Sequence, residues 1–336
     1  MKSKNILFSC LLGVFMSSFA ACGGRTPSNT HRVDTIPLTS CPDFLPDSAM
    51  RYIEEQCQFG PRITGSEESR LCGDYILAKF RQFGAQVEEQ YGKVTLYDGT
   101  NLQARNIIAS LNPQCSDRIL LCAHWDSRPW ADNDAEEKNH KTPVMGANDG
   151  ASGVAVMLEL CRIMQTQPPS VGIDFVCFDA EDMGTPQWEE DRSESDETWC
   201  LGSQVWAGKA VEKGYQARYG VLLDMVGGRG STFAREQISV RFAGPIVDML
   251  WKLAAQIGFS HFFPRTEGGW LMDDHVNVNR IAQIPCIDIV PYFEDGPSSF
   301  GPTWHTIYDT PDNIDPNVLE AVGQTLTQLL YNEKAR

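Results

Sequence analysis

The chain has 336 residues, 42% of them hydrophobic and 21% charged, the balance of a globular protein able to bury one sizeable core. Acids outnumber bases by 44 to 28, for a net charge of −16. No basic cluster relieves that excess, so the chain would repel phosphate backbones, and nucleic acid is excluded as a partner.

The first 21 residues have the order of an export signal: Lys2 and Lys4, the apolar stretch ILFSCLLGVFM, then the small residues before Cys22. The apolar stretch is too short for a comfortable membrane span. Phe19-Ala20-Ala21-Cys22 is similar to a bacterial lipoprotein box, in which Cys22 becomes the acylated N-terminus; a plain secretory signal cut near Ala21 is the alternative. The expectation is an exported, periplasmic protein held to a bacterial membrane by a lipid. Residues 22–45 are rich in Gly, Pro, Ser and Thr and predict a flexible linker, with a single catalytic domain over 46–336. Eleven cysteines include Cys10 and Cys22. No C-x-x-C pair suggests a redox or zinc-ribbon site. Cys122, Cys161, Cys177 and Cys286 lie in apolar runs and read as small core residues.

From there the elements alternate. Helices are predicted near 46–58 and 67–84, then strands at 86–97, 104–111 and DRILLCAH. Val154, Met157, Leu158 and Cys161 have the i, i+3, i+4, i+7 spacing of a helix, with further helical patterns at about 202–213, 244–257 and 314–332. Between them fall the strands GIDFVCFDA, YGVLLDMVG and IPCIDIVPY. Such alternation means an α/β sheet, its central strands mostly parallel and its early ones antiparallel.

Ligands bind beyond the carboxyl ends of strands in such sheets. The greasy run ILLCA ends in His124, Trp125, Asp126 and Arg128; FVCFDA is followed by Glu181 and Asp182; VLLD ends in Asp224. One strand ending in a carboxylate means little, but three ending in a histidine or carboxylates predict a metal or acid–base site. Taken singly, Asp149 in GANDGASG reads as a turn residue or helix N-cap, Asp182 as a loop acid, and His305 in GPTWHTIYDT as a surface histidine. Together with His124 and Asp224 they make two imidazoles and three carboxylates, donors suited to zinc.

HWDS, GANDGASG, DAED, LLDMVG, DDH and WHTIYDT, in that order, resemble the motifs of the M28 zinc aminopeptidase superfamily, and within it most closely the animal-type glutaminyl cyclases. The resemblance runs from about residue 50 to the C-terminus. It implies an open α/β sandwich with a central twisted mixed sheet flanked by helices. It also implies zinc ligands at Asp149, Asp182 and His305, one zinc per chain. Position 182 is Glu in many relatives, and Asp is one methylene shorter, so the loop must come closer to the metal. Glu181 matches the general acid/base, and Asp224 and Asp273 match acids that hydrogen-bond around it.

Two functions compete under that resemblance. In a two-zinc aminopeptidase His124 and Asp224 would bind a second metal beside Asp149, and metal-held water would attack a peptide bond. In a glutaminyl cyclase the substrate's own α-amine attacks its γ-amide carbon, leaving pyroglutamate and ammonia, and His124 becomes a polar pocket wall. Trp304 beside His305, Trp188 a few residues after Asp182, and the pair Asp273-Asp274 before His275 favour the cyclase, with Trp188 and Trp304 walling the glutamine; core packing is the bland alternative for each tryptophan. The acidic stretch PQWEEDRSESDETWC predicts a solvated loop near the pocket mouth. No G-x-S-x-G, H-E-x-x-H, P-loop or dinucleotide fingerprint is present. The expected partners are peptides or proteins with N-terminal Gln; sequence does not give the oligomeric state.

Overall fold

The computed structural model describes residues 35–190 and 195–336. The expected signal segment, the acylated Cys22 and most of the linker lie outside them. Ile36–Arg336 form one compact unit. Among the described residues six strands, β1 (Gln86–Thr95), β2 (Asn101–Leu111), β3 (Arg118–His124), β4 (Gly172–Phe178), β5 (Gly220–Leu223) and β6 (Cys286–Ile289), stand in the order β1-β2-β4-β3-β5-β6. The β1–β2 and β2–β4 pairs are antiparallel; β4–β3, β3–β5 and β5–β6 are parallel. This is the mixed sheet expected, and the strand chemistry explains the division. β4 is buried at every position, as suits a strand covered on both faces. β1 (QVEEQYGKVT) keeps its charges on an exposed edge, where they discourage pairing with another chain.

Among the described residues seven α-helices cover the sheet: α1 (Pro46–Cys57), α2 (Glu67–Gln82), α3 (Ala151–Thr166), α4 (Leu201–Glu212), α5 (Gln237–Gln256), α6 (Asp274–Arg280) and α7 (Pro316–Asn332). α2 starts at Ser66, whose hydroxyl accepts from Ser69 N, and has Glu67 and Glu68 in its first turn with Lys79 and Arg81 in its last, in accord with the helix dipole. α5 begins seven residues before the predicted 244–257, because its helical pattern is broken by a kink at Ala243 (φ −139°) beside Pro245. α6 has no helical signature: His-Val-Asn-Val-Asn alternates like a strand, and the Asp273 side chain starts the helix by accepting from Asp274 N (2.5 Å).

The predicted linker is corrected at its C-terminal end. Residues 36–45 are a strap bound to the body, not a tether. Ile36 exchanges two 2.8 Å hydrogen bonds with Gln256, Thr39 N donates to Asn332, and Phe44 N donates to Gln324. Phe44 itself is buried against Gly323, where any Cβ would strike its ring. The amides of Gln324, Gln328 and Asn332, one helical turn apart on α7, serve the strap's backbone, a match that the strap's polar composition does not reveal. Among the described residues no helix is long and apolar enough to cross a membrane.

Candidate metal and acid site

The carboxyl ends of β3, β4 and β5 open on one face, at the place where the chain turns from one side of β3 to the other. α3 must start close above them. Gly153 allows it, since a Cβ there would collide with Leu223 O, and Gly150 adopts φ +97° with no room for a Cβ beside Asp126 O. Gly150, not Asp149, is the N-cap residue of α3. The Asp149 side chain is therefore free of the capping role that its sequence context suggests.

Asp149 joins two groups. Its Oδ1 is 3.0 Å from His124 Nε2, which also lies 3.1 Å from Asp224 Oδ1; its Oδ2 is 3.6 Å from His305 Nε2, which lies 3.0 Å from Asp182 Oδ1. The donor atoms of Asp149, Asp182 and His305 lie within 4.8 Å of one another, as do those of His124, Asp149 and Asp224. Asp182 is 1% exposed, yet neither of its oxygens accepts a hydrogen bond. Two carboxylates and an imidazole converging with unused lone pairs fit a tetrahedral zinc site with its fourth position open.

The supports of these ligands are residues that no sequence role had been given. Asp126 accepts from Glu181 N and Asp182 N, both at 3.1 Å, so one carboxylate shapes the whole loop after β4. Asp309 does the same for the Asn148 and Asp149 amides. Arg128, unplaced by sequence, is 1% exposed: it forks onto Asp132, donates to Asp182 O and Gly184 O at 2.9 Å, and lies over the Trp199 and Trp130 rings. Asp132 in turn lies 3.4 Å from His305 Nδ1, leaving Nε2 to face the ligand trio. Of the six non-glycine residues with positive φ among those described, Ala180, Cys200, Met225 and His305 are at this site, where backbone strain is held by the surrounding bonds.

Burial and mutual repulsion raise several carboxyl pKa values. Glu181 is pushed well above the usual range, by burial first and then by Asp182 and Asp273. Burial and Asp182 hold Asp149 up at about 7; burial and Asp224 hold Asp273 at about 6. Burial works against the charged His305, but Asp182 and Asp132 outweigh it and raise the imidazole to about 9. Asp182 goes the other way: burial is outweighed by His305 and Arg128, and its pKa is lowered. A divalent cation at the trio would lower these values by its own charge.

Above this floor is a cavity of about 390 Å³, walled by Trp199, Trp270, Leu271, Met272, Phe300 and Trp304. Trp304 stacks on His305 with centroids 3.9 Å apart. Two expectations fail here. Trp188 is not a wall: it packs edge-on against Trp130 (5.6 Å) under the Lys141 ammonium (4.3 Å), away from the cavity. Cys200 N bonds Glu181 O, which sets the neighbouring Trp199 beside His305, its ring stacked at 5.9 Å. His124 is not a wall either: it is 2% exposed, at the end of a central strand beneath Asp149 and Asp224. Trp199 and Trp270 were missed, although each directly precedes or closely flanks a motif, in TWCLGS and GGWLMDD.

The pattern of peptidase family M28 matches residues 106–330. The chain belongs to peptidase family M28, a zinc-dependent family. Among similar solved structures are glutaminyl cyclase from Bacteroides thetaiotaomicron bound to N-acetylhistamine (50% identity over 88% of this chain and 100% of that one, TM-score 0.85) and glutaminyl cyclase from Tannerella forsythia (46% identity, 87% and 100%, TM-score 0.84). A leucine aminopeptidase precursor from Bacteroides thetaiotaomicron is as similar: 49% identity, 88% and 100%, TM-score 0.85. The chain spans about half the length of the curated relatives it matches first, 48% of aminopeptidase YwaD from Bacillus subtilis at 26% identity over 74% of this chain.

Proposed function

We propose that the protein is a glutaminyl-peptide cyclotransferase that turns the N-terminal glutamine of peptides and proteins into pyroglutamate with release of ammonia. The cavity carries this reading. It is a short aromatic well of about 390 Å³ that ends on the ligand trio and Glu181, suited to one terminal residue. The similarity to two glutaminyl cyclases over their whole length supports it.

Asp149, Asp182 and His305 would hold one zinc per chain, which when bound would supply a Lewis acid for the γ-carbonyl of the glutamine. The aromatic walls exclude bulk water and orient the substrate's α-amine, which is already in the same molecule as the carbon it attacks. Glu181 takes a proton from the attacking nitrogen and delivers it to the departing one: the new N–Cδ bond forms, the amide C–N bond breaks, and ammonia leaves. Burial and the neighbouring Asp182 make Glu181 keep a proton readily, and Asp273, itself held up by Asp224, shares the same proton pool.

One observation favours a second reading, an M28-type aminopeptidase: the trio His124, Asp149 and Asp224 is intact and offers donors for a second metal. Incubation with a Gln-initiated and a Leu-initiated peptide separates the two. Ammonia without free amino acid is expected; free leucine without ammonia, together with two tightly held zincs per chain, would establish the peptidase instead.

The reading extends to location. Residues 1–22 support export and acylation at Cys22, and with them substrates whose signal cleavage exposes Gln. Mass spectrometry of the mature N-terminus tests this; a chain beginning at an unacylated residue removes the anchor.

A further inference from the structure

Beside the zinc ligands is another group of donors. Cys200 Sγ, a Glu181 oxygen and an Asp273 oxygen lie within 4.8 Å of one another. Cys200 reaches this point through left-handed backbone (φ 55°, ψ 35°) at the start of α4, which turns its buried thiol onto Glu181 Oε1 at 3.2 Å. Nothing in helix capping requires a cysteine there, since its side chain makes no cap bond. A further carboxylate bears on the same spot. Asp274 is fully buried with no hydrogen-bond partner for either oxygen, and the Ser203 hydroxyl donates to Cys200 O at 2.9 Å. Asp274 lies close enough to raise the pKa of both Cys200 and Glu181, while burial and Asp273 raise its own.

We infer that Cys200, Glu181 and Asp273 form a separate, inhibitory site for a thiophilic divalent cation, cadmium or zinc in excess, with the buried Asp274 carboxyl behind it. The donor sets separate the two sites: the catalytic trio contains no sulfur, whereas this one offers a thiol whose sulfur soft cations prefer once its proton is displaced. Binding forms a metal–sulfur bond and displaces the thiol proton, and any proton on Glu181, to solvent; nothing is oxidised or reduced. With the ion in place the Glu181 lone pairs are engaged and its proton is gone, so it no longer shuttles. Only this loss of turnover rests on the cyclotransferase reading. The binding itself stands without it.

The test uses zinc-loaded protein titrated with cadmium chloride, recording thiolate-to-cadmium charge-transfer absorption and ammonia release together. The expected result is one cadmium per chain whose absorption and inhibition develop in parallel. In Cys200→Ser that absorption is lost and inhibition weakens by roughly tenfold or more. The partly exposed Cys41, Cys57 and Cys115 are present in both proteins and cancel in the difference. Asp273→Asn keeps the thiol, so the band persists but needs roughly tenfold more cadmium. An equal band in Cys200→Ser overturns the site, as does a wild type without a Cys200-dependent band at saturating cadmium. Should Cys200→Ser not fold, an unchanged cadmium affinity in Asp273→Asn overturns it. A wild type that shows the band but releases leucine instead of ammonia upholds the site and removes the cyclotransferase reading alone.

Discussion

The floor and the walls of the cavity are built in opposite ways. The floor ligands other than His305 are within a few residues of β3, β4, β5 or α3, and the floor is held by buried partners: Asp126 under the 181–182 loop, Asp309 under the 148–149 loop, Asp132 behind His305. The walls come from loops distant in sequence, and their members range from packed to open; Trp270 is 64% exposed and Met272 40%. The contrast indicates a division of work. Chemistry needs donors placed to within a fraction of an ångström, which buried hydrogen bonds provide, whereas enclosing one side chain needs only aromatic area near the right place.

That contrast can be broken from either side. The largest effect is expected on the floor: Glu181→Gln should lower kcat by on the order of 10²–10⁴-fold while zinc content, measured by atomic absorption, stays unchanged. High residual turnover would remove Glu181 as the proton shuttle. Gly150→Ala should be nearly as damaging through structure. The positive φ and the Asp126 carbonyl both oppose a Cβ, at a cost of about 2–3 kcal/mol; lower Tm and zinc loss should appear together. On the walls, Trp304→Ala should remove about 1–2 kcal/mol of ring contact, roughly tenfold in kcat/KM, whereas Trp188→Ala should change it by less than about twofold. Equal effects of the two would mean that Trp188 reaches the substrate after all.

A subtler effect concerns Asp179, which accepts from Thr64, Arg105 N and Ala180 N but is raised to about 7 because burial, with Asp126 next, outweighs those bonds. Between its unfolded value near 3.8 and about 7 the folded protein binds more proton than the unfolded chain. Stability from this group is therefore present below that window and lost as pH rises through it. In Asp179→Asn the thermal stability difference from wild type should shift in the variant's favour from pH 4 to pH 7; a constant difference would remove the argument. The smallest effect belongs to the acidic stretch 189–197. Neutralising its six acids should raise KM for a cationic peptide N-terminus about two- to threefold at low salt and not at high salt.

How much was readable followed the same division. His124, Asp149, Asp182, Asp224 and His305, whose donor atoms the structure brings together, stood out in the sequence because of strand-end and turn polarity and because their order resembles one family. Glu181 came with them, adjacent to a ligand. Trp188 was a mistake of sequence proximity: it is six residues from Asp182 yet packs on Trp130, whereas Trp199 is set at the site by the Cys200–Glu181 backbone bond. The strap at 36–45 and helix α6 were hidden for a related reason, as their partners are side chains on α7 and a single capping aspartate.

The sequence by itself determined the alternation of strands and helices, the mixed sheet and the identities of the site's donors, because hydrophobic period and strand-end polarity act over a few residues. Tertiary structure alone decided that His124 lies beneath the site and not in its wall, that Arg128 holds Asp132 against His305, which tryptophans enclose the cavity, and that Cys200 faces Glu181. Those facts depend on where loops of unequal length return, and that is set by buried hydrogen bonds and close glycine contacts between segments far apart in the chain.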